Sequence, residues 1–164
     1  MRAFGTVKGL PYDNVYHYLS DLRERAKGDD TIKDVELLEE NVAANTAIFR
    51  YVIKSPSFLV SDRDVVARRS VKEQWPDNLS TGIMVKSCDH PKYPPNKDDK
   101  FVRSITKQGW VITKKEHDNE FDISMSIENN VGGSIPMWIT NMLAGKMPKG
   151  IYERLHKRAA EYKP

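Results

Sequence analysis

Gly132-Gly133-Ser134-Ile135-Pro136-Met137-Trp138 is the stretch that decides how this chain folds. Two adjacent glycines supply a turn whose backbone angles other residues avoid. Ser134 is a good helix N-cap, and Pro136 falls in the first helical turn, where a missing N–H costs little. A long helix therefore runs from here toward the C-terminus. Ile135, Trp138, Ile139, Met142 and Leu143 recur at helical spacing, and Ile151, Leu155 and Ala159 resume the pattern after Pro148. With Trp138 and the methionines Met137, Met142 and Met147, this helix suits a surface that adapts to a soft, variable apolar object. The same spacing also describes an ordinary core-packing helix.

Outward from that helix the pattern changes to short strands. Residues 4–7 read as a strand ended by Gly9 and Pro11. Asp13 then caps a helix to about Ala26, with Val15, Tyr16, Tyr18, Leu19 and Leu22 as its buried stripe, and Gly28-Asp29-Asp30 breaks it. Residues 45–54 alternate: Ala47, Phe49, Tyr51 and Ile53 share one face, and Ile48, Arg50, Val52 and Lys54 the other. Residues 55–61 form a loop with the apolar tip Phe58-Leu59-Val60. Further strands are expected at 64–72, 81–88, 101–106, 110–115 and 121–127, with a Pro-rich loop at 90–95. The order strand, helix, run of antiparallel strands, long helix gives an α+β domain. Its sheet has one apolar face to cover, and the terminal helix is the only element long enough to lie across it.

At 164 residues the chain is one domain with a substantial core. No apolar run approaches the roughly 20 residues that cross a bilayer, and the N-terminus lacks a signal peptide's apolar core. Cys88 is the one cysteine, so no internal disulfide forms and a reducing, cytoplasmic setting is expected. Net charge is only +3, but it is unevenly placed. Six acids fall between Asp29 and Glu40, and six bases fall between Lys146 and Lys163. A basic helix end complements the helix dipole and also favours an anionic membrane surface. A solvated helix face accounts for the same lysines.

One arginine argues for a hollow interior. Along residues 64–72, Val65, Ala67, Arg69 and Val71 share a side. Leaving a guanidinium unpaired in hydrocarbon costs several kcal/mol even after relaxation, of order 3–5 by analogy with broken buried pairs. Arg69 therefore pairs with a buried acid, faces a cavity holding water or an anionic group, or lies on the surface in a shifted register. Its planar fork suits a phosphate or carboxylate. Parity also places Phe121, Ile123, Met125 and Ile127 on an apolar face, and Arg103 reads as an ion-pair residue near Asp98 and Asp99.

Ser61-Asp62-Arg63-Asp64-Val65-Val66 followed by Arg68-Arg69, His90-Pro91-Lys92-Tyr93-Pro94-Pro95, Val102-Arg103, Gly109-Trp110-Val111-Ile112 and the opening glycine stretch together resemble the START domain, the lipid-binding family of the steroidogenic acute regulatory and phosphatidylcholine-transfer proteins. The resemblance runs over nearly the whole chain. It implies the helix-grip (START/Bet v 1-like) fold, a curved antiparallel sheet wrapped around a long C-terminal helix with a tunnel for one lipid. It also implies that the loop at 55–61 and the terminal helix form the lid, and that Arg69 enters the cavity to meet a head group. The chain departs from the family pattern in two ways. Members usually begin with another helix and about two more strands before Met1, so the sheet has an exposed edge that a homodimer, a swapped strand or a wider mouth would accommodate. Sterol-binding members place an acid where Arg50 stands, and a second cation beside Arg69 favours a phospholipid over a neutral sterol.

The expected site comprises Arg69 and Arg50 at the head group, with Phe49, Tyr51, Phe121, Ile123, Met125, Trp138 and Met142 lining the tunnel. Phe58, Leu59 and Val60, with Lys146, Lys149, Arg154, Lys157 and Arg158, would touch the membrane. The histidines are scattered without zinc spacing, Cys88 and His90 are poorly placed for a nucleophile–base pair, and no P-loop or dinucleotide fingerprint occurs. Trp110 with Lys114 and Lys115 reads as a solvated strand face rather than a nucleic-acid site. No cofactor, metal or nucleic acid is expected. The expectation is a non-catalytic carrier of one lipid; a sterol binder, a cyclase- or hydrolase-like enzyme on the same fold, and an interaction domain with a lost ligand are its competitors.

Overall fold

The structure, a computed structural model, describes residues 1–55, 57–58, 60–95, 100–117, 119–135 and 150–161. Its elements are β1 (Arg2–Lys8), α1 (Tyr12–Ser20), α2 (Leu22–Lys27), β2 (Ile32–Asn41), β3 (Thr46–Ile53), β4 (Arg63–Glu73), β5 (Ser80–Ser87), β6 (Val102–Arg103), β7 (Ile105–Lys114) and β8 (Glu120–Asn130). Residues 150–161 are helical and form α3. One sheet runs β1-β8-β7-β5-β4-β3-β2, antiparallel along that path, while β6 pairs parallel with β4. The α+β architecture is thus an antiparallel sheet closed by a C-terminal helix.

Strand alternation decides which side is covered. On β8, Phe121, Ile123, Met125 and Ile127 point to one face, where Trp110 and Ile112 of β7 and Ile83 of β5 join them. Val15, Tyr18 and Leu19 of α1 and Leu155 and Ala159 of α3 close that cluster. The terminal helix is therefore not alone on the sheet. Tyr12 adds an edge-to-face contact with Phe121, ring centroids 6.2 Å apart, and its hydroxyl donates to Thr81 Oγ1 at 2.7 Å.

The local boundaries differ from the pattern, first at α1, which starts at Tyr12 with Pro11 rather than Asp13 at its N-cap. The first helix is two, because Asp21 takes an extended backbone and its carboxylate accepts the Arg23 N–H at 2.8 Å, starting α2. β2 occupies the acidic run, where register shifts near Lys33 and Leu37 break the alternation that marks a strand. Residues 105–114 form one continuous strand, β7, rather than the end of one and the start of another.

The Ser61–Asp64 run ties this frame together. Asp62 accepts the Ser55 N–H at 2.8 Å and pairs with Lys33 at 2.7 Å. Buried Arg63 donates to the carbonyls of Ser61, Val131 and Gly132 and so fixes the glycine turn to the sheet. Gly132 and Gly133 both have φ of 61°, and a Cβ on Gly132 would sit 2.5 Å from the Arg103 carbonyl, so glycine is required there. Asp64 holds Arg103 Nε at 2.5 Å and Arg50 Nε at 3.6 Å on the outer face. Arg103 is thus an ion-pair residue through Asp64 on β4; Asp98 and Asp99 lie outside the described residues. Arg50 also stacks on the rings of Tyr93 and Phe101, 5.0 and 5.3 Å from their centroids.

Removing Asp64 strands two guanidiniums. Asp64→Ala should lower unfolding free energy by about 3–5 kcal/mol in urea denaturation; a loss under about 1 kcal/mol would show that the two aromatic rings and solvent hold these arginines without it.

Candidate functional site

Arg69 stands on the inner, core-facing side of β4. Ala47, Arg69, Val85, Gln108 and Ile127 are successive cross-strand neighbours on β3, β4, β5, β7 and β8, and share that face. No carboxylate among the described residues pairs with Arg69. Instead its Nη1 donates to the Asn45 carbonyl at 3.1 Å and to Asn45 Oδ1 at 2.5 Å. Its Nε is buried without a partner among the described residues, and so is Gln108 Oε1, whose amide nitrogen is spent on Thr106 Oγ1 at 3.0 Å.

These atoms border a closed space of about 20 Å³ between the sheet and the α1–α2 junction. Phe49, Tyr51 and Ala67 wall it from the sheet; Leu22 and Arg25 wall it from α2. Arg25 lies over the Trp110 ring, 5.6 Å from its centroid. Trp110 in turn lines an apolar space of about 330 Å³ with Ala3, Val7, Ile123, Met125, Ile151 and Leu155. A polar pocket and a greasy cavity are therefore separated by one arginine–tryptophan stack. A wider concavity, about 680 Å³, lies on the opposite face around Phe4, Trp75, Gly82, Met84 and Val111.

Several expected positions fall elsewhere. Arg50 is not beside Arg69: strand parity sends it to the outer face, into the Asp64 cluster. Phe121 lines neither inner space and packs in the solid core under Tyr12. Arg154 and Arg158, expected to face a membrane, are turned toward the protein. Arg154 Nε is 3.1 Å from buried Asp29 and the guanidinium also donates to the Tyr18 hydroxyl, while Arg158 lies across Gly28 and pairs with Glu161 at 2.8 Å. Lys157 is exposed. Phe58 is 97% exposed at the tip of its loop and Val60 is half-buried. Leu59, Trp138, Met142, Lys146 and Lys149 lie outside the described residues.

Trp110 is buried on the inner face rather than solvated, and with Gln108, Arg25 and Asn45 it belongs to the site although the pattern did not single these out. Reading 105–114 as one strand would have put Thr106, Gln108, Trp110 and Ile112 on one side. Arg25 carried no such signal, since a short amphipathic helix presents arginines outward as readily as inward.

The groups that line the polar pocket are hydrogen-bonding ones, guanidinium, amide and hydroxyl. Burial pushes the Tyr51 phenol up to about 12, so it stays a neutral hydroxyl. Burial alone would raise the Asp21 carboxyl, but hydrogen bonds and charge from Arg23, with the charge of Arg69 behind them, hold it below its ordinary range. Among the described residues, no histidine, carboxylate, cysteine or lysine lines either inner space, and no acid, histidine or cysteine cluster could hold a metal. Burial raises the Cys88 thiol, which leaves it a poor nucleophile. No helix among the described residues is long and apolar enough to cross a membrane.

Comparison with known proteins identifies the family and the fold. The START domain family model matches residues 1–161. The chain is 25% identical over 154 residues to START domain-containing protein 10 of Homo sapiens, covering 93% of this chain and 50% of that one. It is 23% identical over 156 residues to the mitochondrial StAR-related lipid transfer protein 7 of Homo sapiens, covering 94% of this chain and 42% of that one. The chain therefore spans about half the length of the curated relatives it matches. The crystal structure of human STARD10 superposes with a TM-score of 0.83 at 23% identity, over 98% of this chain and 63% of that one.

The inner cavity is closed at one end by how α3 is held. Besides Arg154–Asp29, Asn14 Nδ2 donates to the Ala159 carbonyl at 2.7 Å and Tyr152 donates to the Thr6 carbonyl at 3.2 Å. Asp29→Asn keeps an acceptor for Thr31, which Asp29 already binds through its N–H and hydroxyl, but removes the charge facing Arg154. Amide exchange across 150–161 should then quicken by about tenfold; unchanged exchange would show that the apolar seam alone holds the helix.

Proposed function

The chain belongs to the START domain family, and on that premise we propose that it is a non-catalytic carrier of one lipid, with the polar end at Arg69 and the acyl chains in the cavity beneath α3. The observation that carries this reading is a pair of buried polar atoms without a partner among the described residues, Arg69 Nε and Gln108 Oε1, in a small polar pocket that the Arg25–Trp110 stack divides from the apolar cavity. Burying such groups dry is costly, and a ligand head group or water relieves it. Tyr51 adds a neutral hydroxyl beside them.

The energetics suit exchange at a surface. Moving a buried methylene into water costs about 0.8 kcal/mol, so ten of them oppose escape into water by roughly 8 kcal/mol. Moving the same chain from the cavity into a bilayer is close to neutral. The carrier therefore loads and unloads only in contact with a membrane. Phe58 at the tip of its loop, beside Val60 and Lys100 in one open concavity, is the contact this reading assigns to that step. Phospholipids fit the Arg69 pocket better than a neutral sterol, whose hydroxyl cannot neutralise a buried cation. The enzyme alternative lacks a general acid or base among the described lining residues.

Protein purified from cells should carry a lipid in native mass spectrometry; an empty protein that converts a small molecule would favour the enzyme. Arg69→Leu should abolish transfer of a phospholipid between vesicles while the unfolding transition is kept, and undiminished transfer would remove Arg69 from the mechanism. Phe58→Asp should slow exchange with anionic vesicles several-fold and leave bound lipid in place. Equal rates would show that membrane contact lies elsewhere.

A further inference from the structure

Arg50 leaves the inner face, yet that face is not left with one cation. Arg25 of α2 lines the same closed space as Arg69. Neither pairs with a carboxylate among the described residues, because the nearby acids are engaged elsewhere. Asp21 is gripped by the Arg23 fork at 2.7 to 3.1 Å, and Asp29 by Thr31 and Arg154. The pocket thus presents two guanidiniums, a phenol and an amide, with no described acid lining it.

Its aromatic surface points the same way. A quaternary ammonium is recognised by aromatic faces that enclose it. Here the Trp110 face nearest the polar pocket already carries the Arg25 guanidinium. A choline group would have to displace that charge and then sit beside it. Space is a second barrier: about 20 Å³ admits roughly one water. A carboxylate or terminal phosphoryl oxygen can enter where a water enters; a trimethylammonium cannot.

Resting on the lipid-carrier reading, we propose that Arg25 and Arg69 together select lipids whose polar end is a bare oxyanion, a phosphomonoester or a carboxylate, and that Arg25 excludes choline head groups. Arg25 is the specificity residue and Arg69 the anchor. Removing Arg25 frees the Trp110 face and halves the positive charge, so it should both weaken oxyanion binding and admit choline.

The test is competitive extraction. The 164-residue chain is incubated with vesicles holding equal phosphatidylcholine and phosphatidic acid, and separately with vesicles in which oleic acid replaces the phosphatidic acid, then re-isolated and its bound lipid identified by mass spectrometry. The expected result is an oxyanion lipid over phosphatidylcholine by about tenfold or more. Preference for phosphatidic acid or for oleic acid then tells which oxyanion the site takes. In Arg25→Ala that ratio should fall about tenfold, with phosphatidylcholine rising in absolute amount, while Arg25→Lys keeps most of the preference. Thermal unfolding confirms that each variant is folded, and Arg25→Gln replaces the alanine variant if that one is not. Bound phosphatidylcholine in proportion to its share of the vesicle, unchanged in the variants, overturns the selectivity and leaves the carrier standing. Wild-type protein that extracts no lipid from either vesicle overturns both.

Discussion

A guanidinium on the apolar face of a sheet cannot be left dry, and the interior of this protein is arranged around that constraint at Arg69. The first partner offered is Asn45, a residue at φ of 47°, where asparagine tolerates the left-handed region better than most. From that position it presents both its carbonyl and its side-chain oxygen to one nitrogen of Arg69, while the same carbonyl accepts the Val71 N–H. Half of the fork is thereby satisfied by the fold itself. Nε is not, and α1 and α2 close over it without supplying an acid. A sheet packed solid against its helices would have no reason to keep that cation.

The two faces of the same sheet show the contrast. On the outer face Arg50 and Arg103 share Asp64 and lie against aromatic rings, a network whose charges are mostly answered within the protein. On the inner face Arg69 and Arg25 meet an amide, a phenol and a tryptophan ring, and their charges are not answered. Closed electrostatics on one side and open electrostatics on the other separate a structural cluster from the recognition site proposed here. The outer concavity around Phe4 and Trp75 is wider, but it has no comparable buried, unpartnered charge.

Period-two alternation made most of the sheet legible. It sorted Arg69, Phe49 with Tyr51, and Ile123 with Met125 onto one side of their own strands, and the motif order pointed to the family, to the fold and so to their common face. It failed where the period is interrupted. β2 has two register shifts, so its acidic run carries no strand signal, and nothing local marks Asp29 beside it as the buried partner of Arg154. Gln108 falls in the gap between the two strands the pattern gives for β7, and Trp110, at the start of the second, looks solvated beside Lys114 and Lys115. Arg50 shows a different limit: its parity already pointed away from Arg69, and an alignment to a family position overrode that physical reading. Helical partners such as Arg25 are chosen by tertiary packing alone, which no local pattern encodes.

The inward turn of Arg154 changes what opening the cavity would require. A helix end rich in bases looks built to rest on an anionic bilayer, but Arg154 is committed to Asp29, Arg158 lies over Gly28, and the backbone of α3 is tied to α1 through Asn14 and Ala159. Lifting α3 in water would strand a buried aspartate and bare Leu155 and Ala159 together, so the closed state is favoured away from membranes. If the chain is the carrier proposed above, lipid phosphates of an anionic surface would take the place of Asp29 at Arg154, and the bilayer interior would receive the apolar stripe. On the proposed carrier reading, the two contacts that hold α3 in solution are those a membrane would replace, and opening would be coupled to arrival without any separate switch.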